Sequence, residues 1–231
     1  MVLLRNRAVK WVVLIACCWA SSVYADPVPD ETVMTVIIVF GDPGHSAIHL
    51  AQGSQQLYWD PGGVYGTELT DCLEDASEAY CHRFAGFPWS TLQSARHNDV
   101  LLGEAADLMR VISIYHLDGD AEIKIYTFHL MGIQAATAWA LLAEPETEFD
   151  TDRNSMFCVK GVTDYLETIG GQFEGMAHPW FPEALGVEMA RLGAKPSDVF
   201  TLHHPRVQAY IQATRHQAGL APWPFALAQD H

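Results

Sequence analysis

The stretch "NSMFCVKGVTDYLETIGG" (residues 154–171) sets Cys158 at what reads as the first turn of a helix. Val159, Val162, Tyr165, Leu166 and Ile169 recur at helical spacing, and Gly170 and Gly171 end the run. A thiol in that position faces backbone N–H groups without acceptors and the positive end of the helix dipole. Both favour thiolate over thiol. Asn154 and Ser155 just ahead read as caps. A thiolate becomes a catalyst only beside a group that takes a proton and returns it to a leaving group, and histidine is the usual choice.

The chain has 11 histidines, so position must discriminate among them. His45 opens a strand-like segment directly after "GDPG", where a side chain at a sheet edge can face a cleft. His49 follows four residues on, which on a helix would be zinc-ligand spacing. Gly44 and Gly53 bracket the segment and leave little room for a helix. In a strand four residues span about 13 Å, too far to share one ion. No metal and no cofactor is expected. His178 and the pair in "LHHPR" (202–206) read as tail or surface histidines. Asp60 ends the next strand-like segment, where a group orienting an imidazole is expected. It serves equally well as the turn residue of "WDPGG".

The N-terminus predicts export. Arg5, Arg7 and Lys10 precede the short apolar core "WVVLIACCWA", and "SSVYA" supplies small residues for cleavage after Ala25. Losing three cations and no acids takes the formal charge from −15 to −18. Such a chain should repel nucleic acid and anionic membrane surfaces. No later apolar stretch is long enough to span a bilayer. Residues 26–231 therefore read as a single domain, periplasmic or secreted. Cys17 and Cys18 leave with the signal. Cys72 and Cys81 are natural disulfide partners across a short polar loop. Cys158 is then the odd one, either a buried inert residue or a reactive thiol.

Around these residues the pattern predicts an α+β fold. "TVMTVIIVFG" (32–41) reads as a buried strand, and "GHSAIHLA" (44–51) with "QQLYWD" (55–60) as a hairpin about "QGS". Residues 67–99 read as a surface excursion. "LMRVISIYHL" and "EIKIYTFHL" around Asp-Gly predict a second hairpin. "GIQAATAWALLAE" (132–144) predicts a helix before the cysteine-bearing one. The Pro-punctuated tail from 172 on reads as short helical pieces wrapping the core. The expected layout is an antiparallel sheet with helices on one side.

The order of these pieces resembles the circularly permuted papain-like superfamily. The histidine stands first, in "GHSAIHLAQG", then the strand "LYWDPGG", and over a hundred residues later the cysteine in "NSMFCVKGVTDYLETIGG". That superfamily includes permuted relatives of NlpC-type cell-wall peptidases, lecithin:retinol-acyltransferase-like enzymes and bacterial periplasmic thiol acyltransferase domains. The resemblance covers roughly residues 33–171 and implies a permuted papain-like fold with a nucleophile-bearing helix. It puts the nucleophile on Cys158 and the base on His45. Retinol-acyltransferase-like members carry a second histidine on the neighbouring strand. The nearest residues here are Leu57, Tyr58 and Asp60; leucine cannot serve, which leaves Asp60, with Tyr58 behind it.

The implied reaction is attack on an amide or ester carbonyl, a thioester acyl-enzyme, and transfer to water or an amine. The backbone N–H of Cys158 is a candidate oxyanion donor. An amide-cutting hydrolase acting on a cell-wall peptide or other envelope substrate is the leading expectation. A lipid or acyl-chain hydrolase or acyltransferase on the same dyad is the alternative, and a non-catalytic binding protein a third.

Overall fold

The computed structural model describes residues 31–41, 44–61, 100–118, 121–143, 157–217 and 219–223. The predicted signal peptide, the surface excursion expected at 67–99 with the expected Cys72–Cys81 disulfide, and the expected caps Asn154 and Ser155 lie outside the described residues.

The β-branched run becomes β1 (Glu31–Phe40), the centre of the molecule. The next two segments form the predicted hairpin, β2 (His45–Gln52) and β3 (Gln55–Trp59). Gln52 pairs with Gln55 around a two-residue turn in which Gly53 takes φ 57°. That left-handed conformation suits glycine. The sheet is completed by β4 (Val100–Leu102), β5 (Glu122–Met131) and the short β6 (Lys195–Pro196). It has six strands in the order β4-β3-β2-β1-β5-β6, and every pairing is antiparallel.

Among the described residues five helices cover this sheet: α1 (Leu108–Asp118), α2 (Gly132–Ala143), α3 (Phe157–Ile169), α4 (Pro182–Arg191) and α5 (Pro205–Gln217). The class is α+β, as the sequence pattern predicts. Two expectations need correction. The segment "LMRVISIYHL" is not a strand; it is α1. Asp107 Oδ1 accepts the Arg110 N–H at 2.9 Å, an N-cap that starts the helix. Leu108, Val111, Ile112 and Tyr115 then fall on one helical face against the sheet. The apolar residues of this stretch fit a period of 2 and a period of 3.6, and the cap decides between them.

Helices also lie on both sides of the sheet rather than one. Met34, Val36 and Ile38 of β1 point into a core with residues of α2, α3 and α4, while Ile37 and Val39 point into a second core with residues of α1 and α5. A strand with a continuous apolar run, as β1 has from Val36 to Phe40, needs cover on both faces. The C-terminal segment provides part of each. Leu185 and Met189 of α4 enter the first core; β6 then runs along β5, and Phe200, Leu202, Val207 and Ile211 enter the second. No helix among the described residues is long and apolar enough to cross a membrane.

Candidate functional site

The position of Cys158 follows from how α3 is anchored. Val159, Val162, Tyr165, Leu166 and Ile169, the stripe read from the sequence, are all buried in the first core. The Tyr165 ring packs on Trp59 of β3 with centroids 5.5 Å apart, and its hydroxyl donates to the Ala138 carbonyl of α2 at 3.0 Å. These contacts lay α3 against the sheet with its first turn over the start of β2. Cys158 is the second residue of the helix and is buried, 3% exposed. Its backbone N–H is one of the first N–H groups, which a helix leaves without an intrahelical acceptor. Gly170 and Gly171 end the helix at φ 74° and 64°.

His45 and Asp60 stand at the open end of the β2–β3 hairpin. Register places Ile48 opposite Trp59, so Asp60, one residue beyond β3, is a diagonal cross-strand neighbour of His45. His45 Nε2 lies 2.5 Å from Asp60 Oδ1. The Asp60 side chain is 8% exposed and that of His45 22%. The imidazole also hydrogen-bonds the Cys158 thiol. With Nε2 occupied by Asp60, Nδ1 is the ring nitrogen left for the sulfur. All three residues singled out from the sequence thus meet at one point, brought there by β2, the end of β3 and α3.

The electrostatics follow from this contact. Burial by itself would lower the His45 pKa, but the charge and hydrogen bond of Asp60, helped by Cys158, raise it to about 10. Burial by itself would raise that of Cys158. The hydrogen bond and charge of His45 outweigh burial, Ser46 adds its hydroxyl and backbone, and the thiol is held below its ordinary value. Both shifts favour the thiolate–imidazolium pair at neutral pH.

Two neighbours were not read from the sequence. Ser46 lies on the opposite side of β2 from His45 and faces the sulfur; its Oγ is buried without another hydrogen-bond partner. "GHS" held that signal, since strand alternation sends consecutive side chains to opposite faces. Tyr115 of α1 hydrogen-bonds Asp60 Oδ2 at 3.0 Å and packs against the His45 ring, centroids 5.9 Å apart. It could not be placed while its segment read as a strand. Tyr58 also donates to Asp60 Oδ2, at 3.1 Å, beside the carboxylate rather than in its place.

His49, His178 and His204 lie elsewhere. His49 is buried and its Nε2 bonds Gln56 Oε1 at 3.2 Å. His178 pairs with Glu167 at 3.0 Å on the surface of α3, and His204 Nδ1 accepts the Arg206 N–H at 3.2 Å. Among the described residues no cluster of three His, Cys, Asp or Glu side chains could hold a metal ion.

Two exposed aromatic residues precede α4. A Cβ on Gly44, next to His45, would stand 2.9 Å from Pro182 Cγ, so the start of α4 is pressed against the start of β2. Trp180 and Phe181, just before that proline, are 70% and 62% exposed.

The fold and the site define an α+β protein with a cysteine–histidine–aspartate constellation at one end of an antiparallel sheet. No family model matches the chain, and no curated protein or solved structure matches it.

Proposed function

We propose that this chain is an exported thiol hydrolase of the permuted papain-like kind, cutting an amide bond in an envelope substrate. The observation that carries the reading is His45 lying between a buried helix-terminal thiol and a buried carboxylate. An inert core cysteine needs neither. The export half of the reading rests on residues 1–25.

In the reaction the Cys158 thiolate attacks the carbonyl carbon, and the new C–S bond places negative charge on the carbonyl oxygen. The Cys158 backbone N–H is available to that oxygen. As the C–N bond breaks, the His45 imidazolium gives its proton to the departing amine, leaving a thioester. His45, now neutral, takes a proton from water as the water attacks the thioester. Collapse expels the thiolate, releases the acid and restores the starting pair. Asp60 keeps the imidazole oriented and stabilises its charge throughout.

A second reading, hydrolysis or transfer of an apolar acyl group on the same residues, is favoured by exposed Trp180 and Phe181, which lead into Pro182 against Gly44. Both readings are tested by trapping the intermediate. The protein is mixed with peptidoglycan fragments, or with p-nitrophenyl esters of short and long acyl chains, then quenched in acid and weighed by mass spectrometry. An acyl mass on the Cys158 peptide, absent in Cys158→Ala, is the expected result. The donor that gives it selects between peptide and acyl chain. No adduct from any donor would contradict both.

A further inference from the structure

The Asp60 carboxylate serves two sets of partners, and the second belongs to no part of the reaction just described. Oδ1 faces His45. Oδ2 faces the hydroxyls of Tyr58, from β3, and Tyr115, from α1, at 3.1 and 3.0 Å. The two hydroxyls also hydrogen-bond each other. This triangle of oxygens contains two phenolic protons. They cannot both be spent between the phenols, so Oδ2 receives at least one of them in every arrangement. Tyr58 is fully buried, and the Tyr115 ring lies against the His45 ring as well. One helical side chain therefore touches both the imidazole and the group that orients it. Phenylalanine at either position would fill the same space, so packing alone does not account for two hydroxyls on one carboxylate oxygen.

We propose that Tyr58 and Tyr115 are positioning residues, a pair of phenols that hold Oδ2 of Asp60 so that Oδ1 keeps His45 in the tautomer and orientation facing Cys158. Asp60 lies one residue past the end of β3, where the ladder no longer fixes the chain. The pair replaces that restraint. α1 thereby completes the site from the face of the sheet opposite α3. Burial first, and then the Asp60 carboxylate and Tyr58, hold the Tyr115 phenol well above its ordinary pKa, so it stays a donor while the dyad titrates. The inference rests on the Cys158–His45 pair being the reactive one.

The test is Tyr115→Phe, with two readouts: the pH profile of Cys158 alkylation by iodoacetamide, and the NMR titration of the His45 ring. Losing one hydrogen bond to a charged group should cut the alkylation rate below pH 6 by about tenfold. It should also move the thiol inflection upward and the His45 titration downward. Tyr58→Phe/Tyr115→Phe should move both further; if that variant does not fold, Tyr115→Phe decides alone. A slower reaction with both titrations unmoved indicates a merely structural role and overturns the proposal. Unmoved titrations overturn the clamp alone when the wild-type thiol is depressed and His45→Ala abolishes the depression. A wild-type thiol titrating like free cysteine overturns dyad and clamp together.

Discussion

His45 Nε2 and Asp60 Oδ1 are 2.5 Å apart across the open end of the β2–β3 hairpin, diagonal neighbours in the extended register of the two strands. The contact ties the imidazole to a carboxylate that is itself buried, and the charge of that carboxylate is the main cause raising the imidazole's pKa against the effect of burial. Asp60→Asn would keep the shape and remove the charge. It should lower the His45 pKa and cut Cys158 alkylation at pH 6 at least about tenfold, with a larger loss, on the order of 1,000-fold, in turnover of any substrate found. Alkylation rates across pH 5–9 check this.

Ser46 separates reactivity from stability. Its buried hydroxyl has the Cys158 sulfur as its one neighbour to bond. Ser46→Ala should change stability by no more than about 1 kcal/mol, while the thiol pKa moves up because one group lowering it is gone. Urea unfolding and the alkylation profile, measured on the same preparation, read the two effects.

Gly44 fixes the distance between β2 and α4. An added Cβ would meet Pro182 Cγ at 2.9 Å, the Val39 carbonyl oxygen at 3.1 Å and that of Gly41 at 3.3 Å. Two of these are backbone atoms that cannot rotate away. Gly44→Ala should destabilise the fold by about 1–3 kcal/mol, the usual cost of overpacking, and displace His45 beside it. Denaturant midpoints and alkylation rates should fall together.

The His45 shift also sets a pH dependence of stability. Its pKa is raised in the folded state, from 6.5 to about 10. The folded protein therefore holds the proton more tightly than the unfolded chain. The stabilisation is complete below about pH 6.5 and is lost as pH rises toward 10. The lowered Cys158 pKa works in the opposite sense: its contribution is present at high pH and lost as pH falls through the folded value. Cys158→Ala removes that opposing effect. Its Tm should fall as pH rises above about 6.5 more steeply than that of Cys158→Ala/His45→Gln, because Asp60 still raises the His45 pKa. Parallel melting curves of the two variants would contradict the shift.

Much of the site was legible in the sequence because each of its pieces carries its own local signal. β1 is rich in β-branched residues, the β2–β3 hairpin is marked by Gly53, and α3 shows a 3.6-residue stripe closed by Gly170 and Gly171. The residues with chemistry sit at the ends of those elements, where the chain order His45, Asp60, Cys158 can be read directly. α1 was not legible because its apolar residues suit a strand as well as a helix, and only the Asp107 cap distinguishes them. With α1 misplaced, the second covered face of the sheet and the contact from Tyr115 to Asp60 were lost as well. Side chains that meet only through tertiary packing leave no spacing to find.

The most direct measurement is the pH dependence of iodoacetamide alkylation of Cys158, in wild type and in His45→Ala. The account predicts a wild-type thiol reacting with an inflection well below the free-cysteine value of about 8.5, and an inflection shifted upward in His45→Ala. A wild-type thiol that titrates like free cysteine, or one indifferent to the loss of His45, would contradict it.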